Sequence, residues 1–174
     1  MRFFIGEFLG TFILSSSLNF MADYTVSPNG AVNLLEIIVG FFIAIQVSRK
    51  LSGAHLNPGV SLCLYLNLAE EEKENQLEKY QERIIGQIAG GIITPLLSNL
   101  LIGSSLTLTA NVHAKYYTAF IMELLASVVF YSIILFQSRK EFNLTDNDEI
   151  VSSIIVAMGL AGGISIAGNE SGAG

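Results

Sequence analysis

Charge is what this sequence has least of. Only 14% of its 174 residues are charged, against 51% hydrophobic, whereas a soluble domain carries about 25% charged residues. A chain this poor in charge falls short of what a water-facing surface needs. A basic stripe is missing too, and the net charge of −6 comes mostly from two polar segments, which implies no nucleic-acid partner. Cys63 is alone, so a disulfide within the chain is excluded. His55 and His113 are the only histidines, too few and too separated for a protein-built metal site. Neither a metal nor a cofactor is expected. A membrane enzyme using Glu7, Glu123 and His55 is disfavoured, because neither a nucleophile nor a metal constellation accompanies them.

The few charges are segregated. Glu70 to Arg83 holds six acids and three bases, and Arg139 to Glu149 holds four acids and two bases. Between them run long uncharged stretches. A transmembrane helix needs roughly 20 mainly apolar residues, with about 17 as a lower limit. Five segments qualify: about Phe3–Met21, Val32–Ser48, Ile84–Leu101, Tyr117–Gln137 and Ile150–Ile166. The start resembles a signal peptide in its early Arg2 and apolar run, but an acid such as Glu7 is costly there unless a bundle interior receives it. It is read as a retained first span. Val60–Leu68 is too short to cross and suits a re-entrant half-helix.

Orientation follows from the basic residues. With the N-terminus cytoplasmic and Val60–Leu68 entering and returning on one side, Arg2, Arg49, Lys50, Lys73, Lys79, Arg83, Arg139 and Lys140 face the cytoplasm. Only Lys115 lies outside, so eight of nine agree. If Val60–Leu68 crossed instead, the bias would be lost. Gly86-x-x-x-Gly90 and Gly159-x-x-x-Gly163 each put two glycines on one helix face, where backbones can approach closely. Pro95 is tolerable within a membrane helix, and a modest bend is expected there.

The chain also repeats itself. Glu7-Phe8-Leu9-Gly10-Thr11-Phe12 recurs in kind as Glu123-Leu124-Leu125-Ala126-Ser127-Val128, 116 residues later. Ser52-Gly53-Ala54 recurs as Ser171-Gly172-Ala173, 119 residues later, and Gly40 and Gly159 each stand twelve residues before their serine. Three spans per half, an odd number, would turn the second copy upside-down in the bilayer, and inverted repeats commonly meet at a midplane pathway built from broken helices. Each Ser-Gly-Ala is expected to dip inward, which brings Gly172, Ala173 and Gly174 into the candidate site. The whole chain, 1–174, reads as one transmembrane domain, with a first repeat over about 1–103 and an incomplete second over about 116–174.

The stretch Ser52-Gly53-Ala54-His55-Leu56-Asn57-Pro58-Gly59-Val60 carries the chemistry. Asn57 is a good N-cap and Pro58 suits the first helical position, so a helix starts there. Its first N–H groups are expected to lack partners, and its dipole adds roughly half a positive charge at that end. Buried at mid-membrane, that end repels cations, including a travelling proton. The Asn57 amide can donate to the oxygen of water or an alcohol. Extended backbone at Gly53, Ala54, His55 and Leu56 would offer carbonyl acceptors, which is tolerable at that depth only along a wet cavity. His55 reads as a brace for the loop rather than an acid–base group. Glu7 and Glu123 are expected to accept hydrogen bonds from buried re-entrant backbone. His113 reads as an external-loop residue, Cys63 as a small hydrophobe on the half-helix, and the run from Glu70 as a solvated connector. The glycosylation pattern at Asn143-Leu144-Thr145 falls on the cytoplasmic side, and the one at Asn169-Glu170-Ser171 in a dipping loop.

These residues resemble the first-half signature of the aquaporin, or major intrinsic protein, family, in which Asn-Pro-Ala follows Ser-Gly-Ala-His. Glu7-Phe8-Leu9-Gly10-Thr11-Phe12, Gln46 and Gln87 also resemble family patterns, and the likeness covers essentially the whole chain. It implies an all-α, inverted-repeat helical bundle, with five spans and one re-entrant half-helix within this sequence. It implies a membrane channel, assembled as a tetramer, that passes water or small neutral solutes such as glycerol; Glu7, Glu123 and Gln46 would be its buried polar residues. By spacing from the motifs, the narrow constriction would include Ile37 and Ile164, two aliphatic residues that hint at a filter wide enough for glycerol. Gly59 departs from the family's alanine, a small-for-small change. The chain also stops at Gly174, two residues before the second asparagine would fall. The second Asn-Pro pair, its half-helix, the filter arginine and the sixth span are expected beyond it. The alternative is a truncated, non-conducting subunit that regulates full-length partners.

Overall fold

The structure, a computed structural model, describes residues 1–25, 34–103, 115–139 and 148–171. Among these, every regular element is a helix: α1 (Arg2–Thr25), α2 (Leu34–Ser52), α3 (Pro58–Leu66), α4 (Glu70–Ile102), α5 (Tyr116–Ser138) and α6 (Glu149–Ser171). The chain divides into two compact units, Met1–Leu106 and Thr107–Gly174. The expectations for His113, for Asn143-Leu144-Thr145 and for Gly172, Ala173 and Gly174 fall outside the described residues.

In the first unit, α1 packs on both α2 and α4, and α3 packs on α4. Small residues make these approaches possible. A Cβ added to Gly86 would lie 2.5 Å from the Phe4 carbonyl oxygen, and one on Gly90 would lie 2.8 Å from that of Phe8. On the other side of α1, a Cβ at Gly6 would sit 2.8 Å from Ser52 Oγ, and one at Gly10 would collide with Leu56 Cδ2. Close backbone approach gives dispersion contact where lipid supplies no hydrophobic drive. Two buried hydroxyls are met within their own helices: Ser48 Oγ donates to the Ala44 carbonyl at 2.6 Å, and Thr94 Oγ1 to that of Gly90 at 2.9 Å. Such back-bonding lets a polar side chain sit in an apolar crossing without leaving a donor unmet.

In the second unit α5 lies against α6. Ala126, Phe130, Ala157, Ala161 and Ala167 are buried, and a Cβ on Gly159 would come within 2.9 Å of Ile133 Cδ1. The outer faces are the reverse of a water-soluble surface: Leu100 is 81% exposed and Phe120 68%. Contiguous apolar exposure of this kind marks a lipid or protein contact. The helices α4, α5 and α6 each contain a stretch long and apolar enough to cross a membrane. The 19-residue α2 carries Glu36 in its first turn and Arg49 and Lys50 in its last, signs that complement the helix dipole.

Three expectations change. The segment from Glu70 is not a connector: it is the first part of α4, a helix of 33 residues. Glu, Lys and Gln are strong helix formers, and Glu70, Glu71 and Glu72 stand in the first turn, where the dipole favours acids. At about 50 Å, α4 is longer than an apolar core of about 30 Å needs. Secondly, α3 starts at Pro58, where the Asn57 cap put it, but ends at Leu66, two residues before the end of the apolar stretch Val60–Leu68. Thirdly, α6 runs on to Ser171, so the serine of the second Ser-Gly-Ala is helical.

Candidate functional site

The loop between α2 and α3 is not extended. Gly53, Ala54 and Leu56 have φ of 95°, 57° and 54°. For a residue with a side chain this left-handed region costs about 1–2 kcal/mol, so the loop holds only because its neighbours over-determine it. The buried Glu7, 0% exposed, accepts from the His55 N–H through Oε1 at 3.0 Å and from the Leu56 N–H through Oε2 at 2.6 Å. Ser52 Oγ accepts from the Ala54 N–H at 3.2 Å. Leu56, 3% exposed, closes over Gly10. Arg83 on α4 donates from Nε to the Ser52 carbonyl at 2.8 Å.

Asn57 then starts α3. With φ −153° and ψ 128° it stands in the ordinary N-cap conformation, and Pro58 takes the first helical position. The orphan N–H groups expected at this end are not left open. Asn57 Oδ1 accepts from the Gly59 N–H at 2.7 Å and the Val60 N–H at 3.3 Å, while the Asn57 carbonyl takes the Ser61 N–H at 3.0 Å. The group still available is the Asn57 amide: its Nδ2 has no partner among the described residues, and the residue is exposed. The dipole of α3 remains, so a donor on a positive end faces outward.

Behind the loop runs a chain of side chains that joins Glu7, His55 and Gln87, which sequence reading singles out, to Ser61, Tyr80 and Arg83, whose part in the site it misses. Gln87 Nε2 donates to Glu7 Oε2 at 2.7 Å and to Ser61 Oγ at 2.9 Å. Ser61 Oγ lies 3.0 Å from His55 Nδ1. The His55 ring packs against Tyr80 with centroids 5.4 Å apart, and Tyr80 packs against Tyr65 at 5.2 Å. The Arg83 guanidinium lies between the Phe3 and Tyr80 rings, 4.6 and 4.8 Å from their centroids, a cation–π arrangement. Ser61 carried one legible signal, a hydroxyl inside an apolar half-helix. Arg83 and Tyr80 carried none, because the acidic residues around them read as solvated.

Other sequence-derived positions are placed as follows. Cys63 is part-buried on α3. Gln46 lies on α2 with Nε2 buried and without a partner among the described residues. Glu123 is part-buried on α5. Ile37 on α2 and Ile164 on α6 are buried, 4% and 7% exposed. The structure thus brings Glu7, His55, Leu56 and Asn57 together with Ser61, Gln87 and Arg83. Among the described residues no group of His, Cys, Asp and Glu could hold a metal ion.

Comparison with known proteins adds three findings. Residues 1–174 match the family model described as MIP, Major intrinsic protein. A protein of Plasmodium berghei (strain Anka) described as an aquaglyceroporin is 31% identical over 188 residues, which cover 95% of this chain and 68% of that protein. The X-ray structure of the aquaglyceroporin from Plasmodium falciparum superposes with a TM-score of 0.76 at 26% identity, over 98% of this chain and 74% of that one.

Proposed function

The chain belongs to the major intrinsic protein family, and on that premise we propose that it is a channel subunit passing water and glycerol-sized neutral solutes passively across a membrane. The observation that carries this reading is the Asn57 cap. Because Oδ1 is occupied by two backbone N–H groups, the carboxamide cannot turn round, and its NH2 is held outward as a donor to a passing oxygen. The dipole of α3 adds positive potential there. A neutral solute exchanges its water hydrogen bonds for this donor and for loop carbonyls; a cation gives up its hydration and meets a repulsive field. The relatives described as aquaglyceroporins, and the aliphatic pair Ile37 and Ile164, support glycerol among the solutes. Ile37→His should narrow and polarise such a filter, and an unchanged glycerol-to-water permeability ratio would remove Ile37 from it.

In this reading α1, α2, α4, α5 and α6 span the bilayer and α3 is re-entrant, within one domain of two repeats. The N-terminus is cytoplasmic, and subunits associate as tetramers, the family's arrangement. The buried Glu7 and the part-buried Glu123 and Gln46 are its polar supports. Gly53, Ala54, His55, Leu56, Asn57, Pro58 and Gly59 make the pore loop, and Gly172, Ala173 and Gly174 belong to its counterpart.

The test is osmotic shock of liposomes containing the protein, with volume followed by light scattering. Faster shrinkage than empty vesicles and glycerol-driven re-swelling are expected. Rates equal to empty vesicles for both water and glycerol would overturn the reading.

A further inference from the structure

The hydrogen-bond directions in the Glu7–Gln87–Ser61–His55 chain can be assigned from chemistry alone. A carboxylate only accepts, and Glu7 is met by the His55 and Leu56 N–H groups as well as by Gln87 at 2.7 Å. The Gln87 atom facing Glu7 is therefore the NH2, which fixes the orientation of that amide. Its second hydrogen goes to Ser61 Oγ at 2.9 Å. The hydroxyl has one proton of its own to place. Gln87 Oε1 lies 3.4 Å away, but it belongs to the very amide that donates to this oxygen, so the two bonds cannot both be well aligned. His55 Nδ1 is closer, at 3.0 Å, and on a different element. The Ser61 proton goes to Nδ1, which must then carry a lone pair. The ring proton is left on Nε2.

That nitrogen has no partner among the described residues, and it looks onto the open side of the loop. A Cβ built on the exposed Gly53 would stand 3.8 Å from His55 Nε2 and 3.8 Å from Arg83 Nη2. The two nitrogens flank one point above a residue that has no side chain to fill it. Arg83 is itself held there by its bond to the Ser52 carbonyl and by the Phe3 and Tyr80 rings.

We propose that Ser61 is a positioning residue for His55: relaying the donation of Gln87 into Nδ1, it keeps the ring proton on Nε2, so that His55 and Arg83 present two donors and no acceptor to a solute oxygen above Gly53. Water, a hydroxyl or a carbonyl is received between these two donors, over Gly53. A travelling proton finds no free lone pair on the ring, because that of Nδ1 is taken by the Ser61 hydroxyl, and the two donors offer a cation no acceptor. This deepens the channel reading, on which the solute's part depends; the position of the ring proton does not depend on it.

The experiment is 15N solid-state NMR of the protein in lipid bilayers, in a His113→Gln background so that one imidazole reports. The expected spectrum has Nδ1 at the unprotonated end of the imidazole range and Nε2 at the protonated end. Ser61→Ala should shift intensity or chemical shift toward a mixture of the two tautomers, and Ser61→Thr, which keeps the hydroxyl, should restore the original pattern. A proton on Nδ1 in the unsubstituted chain overturns the proposal, as does an Ser61→Ala spectrum identical to it. If Ser61→Ala does not fold, the unsubstituted and threonine spectra decide alone. Failure of liposome flux with the expected spectrum intact would sink the channel reading and leave the role of Ser61 standing.

Discussion

Glu7 shows how one residue can hold a strained loop. Its two oxygens face three donors: two backbone N–H groups of the loop and the amide of Gln87. Glu7→Gln keeps the shape but turns one end into a fourth donor, so at least one buried N–H loses its acceptor. An unmet buried donor costs about 1–3 kcal/mol, and the thermal unfolding midpoint in detergent should fall accordingly; an unchanged midpoint would mean that Glu7 does not hold the loop. Asn57 separates two roles in one side chain. Asn57→Asp retains an oxygen for the Gly59 and Val60 N–H groups, so α3 should still start there. The outward donor, however, becomes a negative acceptor. Water permeability should drop about fivefold, the worth of one neutral hydrogen bond, and a proton leak should appear in vesicles loaded with a pH dye. Tight vesicles and full water flux in Asn57→Asp would show that the amide plays no part. Asn57, Pro58 and Glu7 can be recognised from the sequence because each has a local rule: a cap, a first-turn proline, a costly acid in an apolar helix. The partners of Glu7 lie 48, 49 and 80 residues away, and no local rule reaches that far.

Among the elements, α1 is the one through which the first unit coheres, since α2 and α4 both pack on it. Its contact with α4 runs backbone to backbone at Gly86 and Gly90. Gly86→Ala would press a methyl carbon to 2.5 Å from the Phe4 carbonyl oxygen; overpacking of this sort costs about 1–3 kcal/mol. Gly91→Ala is the built-in control, because nothing lies within 4 Å of that Cβ. Melting in detergent should therefore separate the pair, with Gly86→Ala lowered and Gly91→Ala unchanged or slightly raised by its better helix propensity. Equal effects would show that the crossing is looser than this geometry. The glycine spacing was readable as a helix-packing face, but its partner was not, since the pattern states that a face is flat without saying what lies on it. The acidic start of α4 shows the opposite failure: composition suggested a solvated segment, and solvated it is, yet helix propensity and the dipole make it continuous with the span.

For the whole molecule, membrane residence follows from apolar faces that remain exposed among the described residues and from the family to which the chain belongs. Orientation is a further matter, resting on charge. In a Cys63→Ser background, a cysteine at Lys115 should react with a membrane-impermeant maleimide added outside intact cells, while one at Lys73 should react only after permeabilisation. The reverse pattern would invert the proposed topology without disturbing the fold.

Periodicity, charge segregation and the Asn-Pro start are written along the chain. They sufficed for the helical class, most of the element boundaries and the residue at which α3 begins, because a helix and its cap depend on neighbours within a few positions. The loop conformation was another matter. Left-handed φ at Ala54 and Leu56 contradicts local preference, and it persists only because a carboxylate from α1, an arginine from α4 and a glycine-lined gap for Leu56 meet there. Which hydrogen-bond donors remain free is decided by the same assembly. Counting them requires knowing every acceptor nearby, and that is a property of three-dimensional neighbours rather than of sequence.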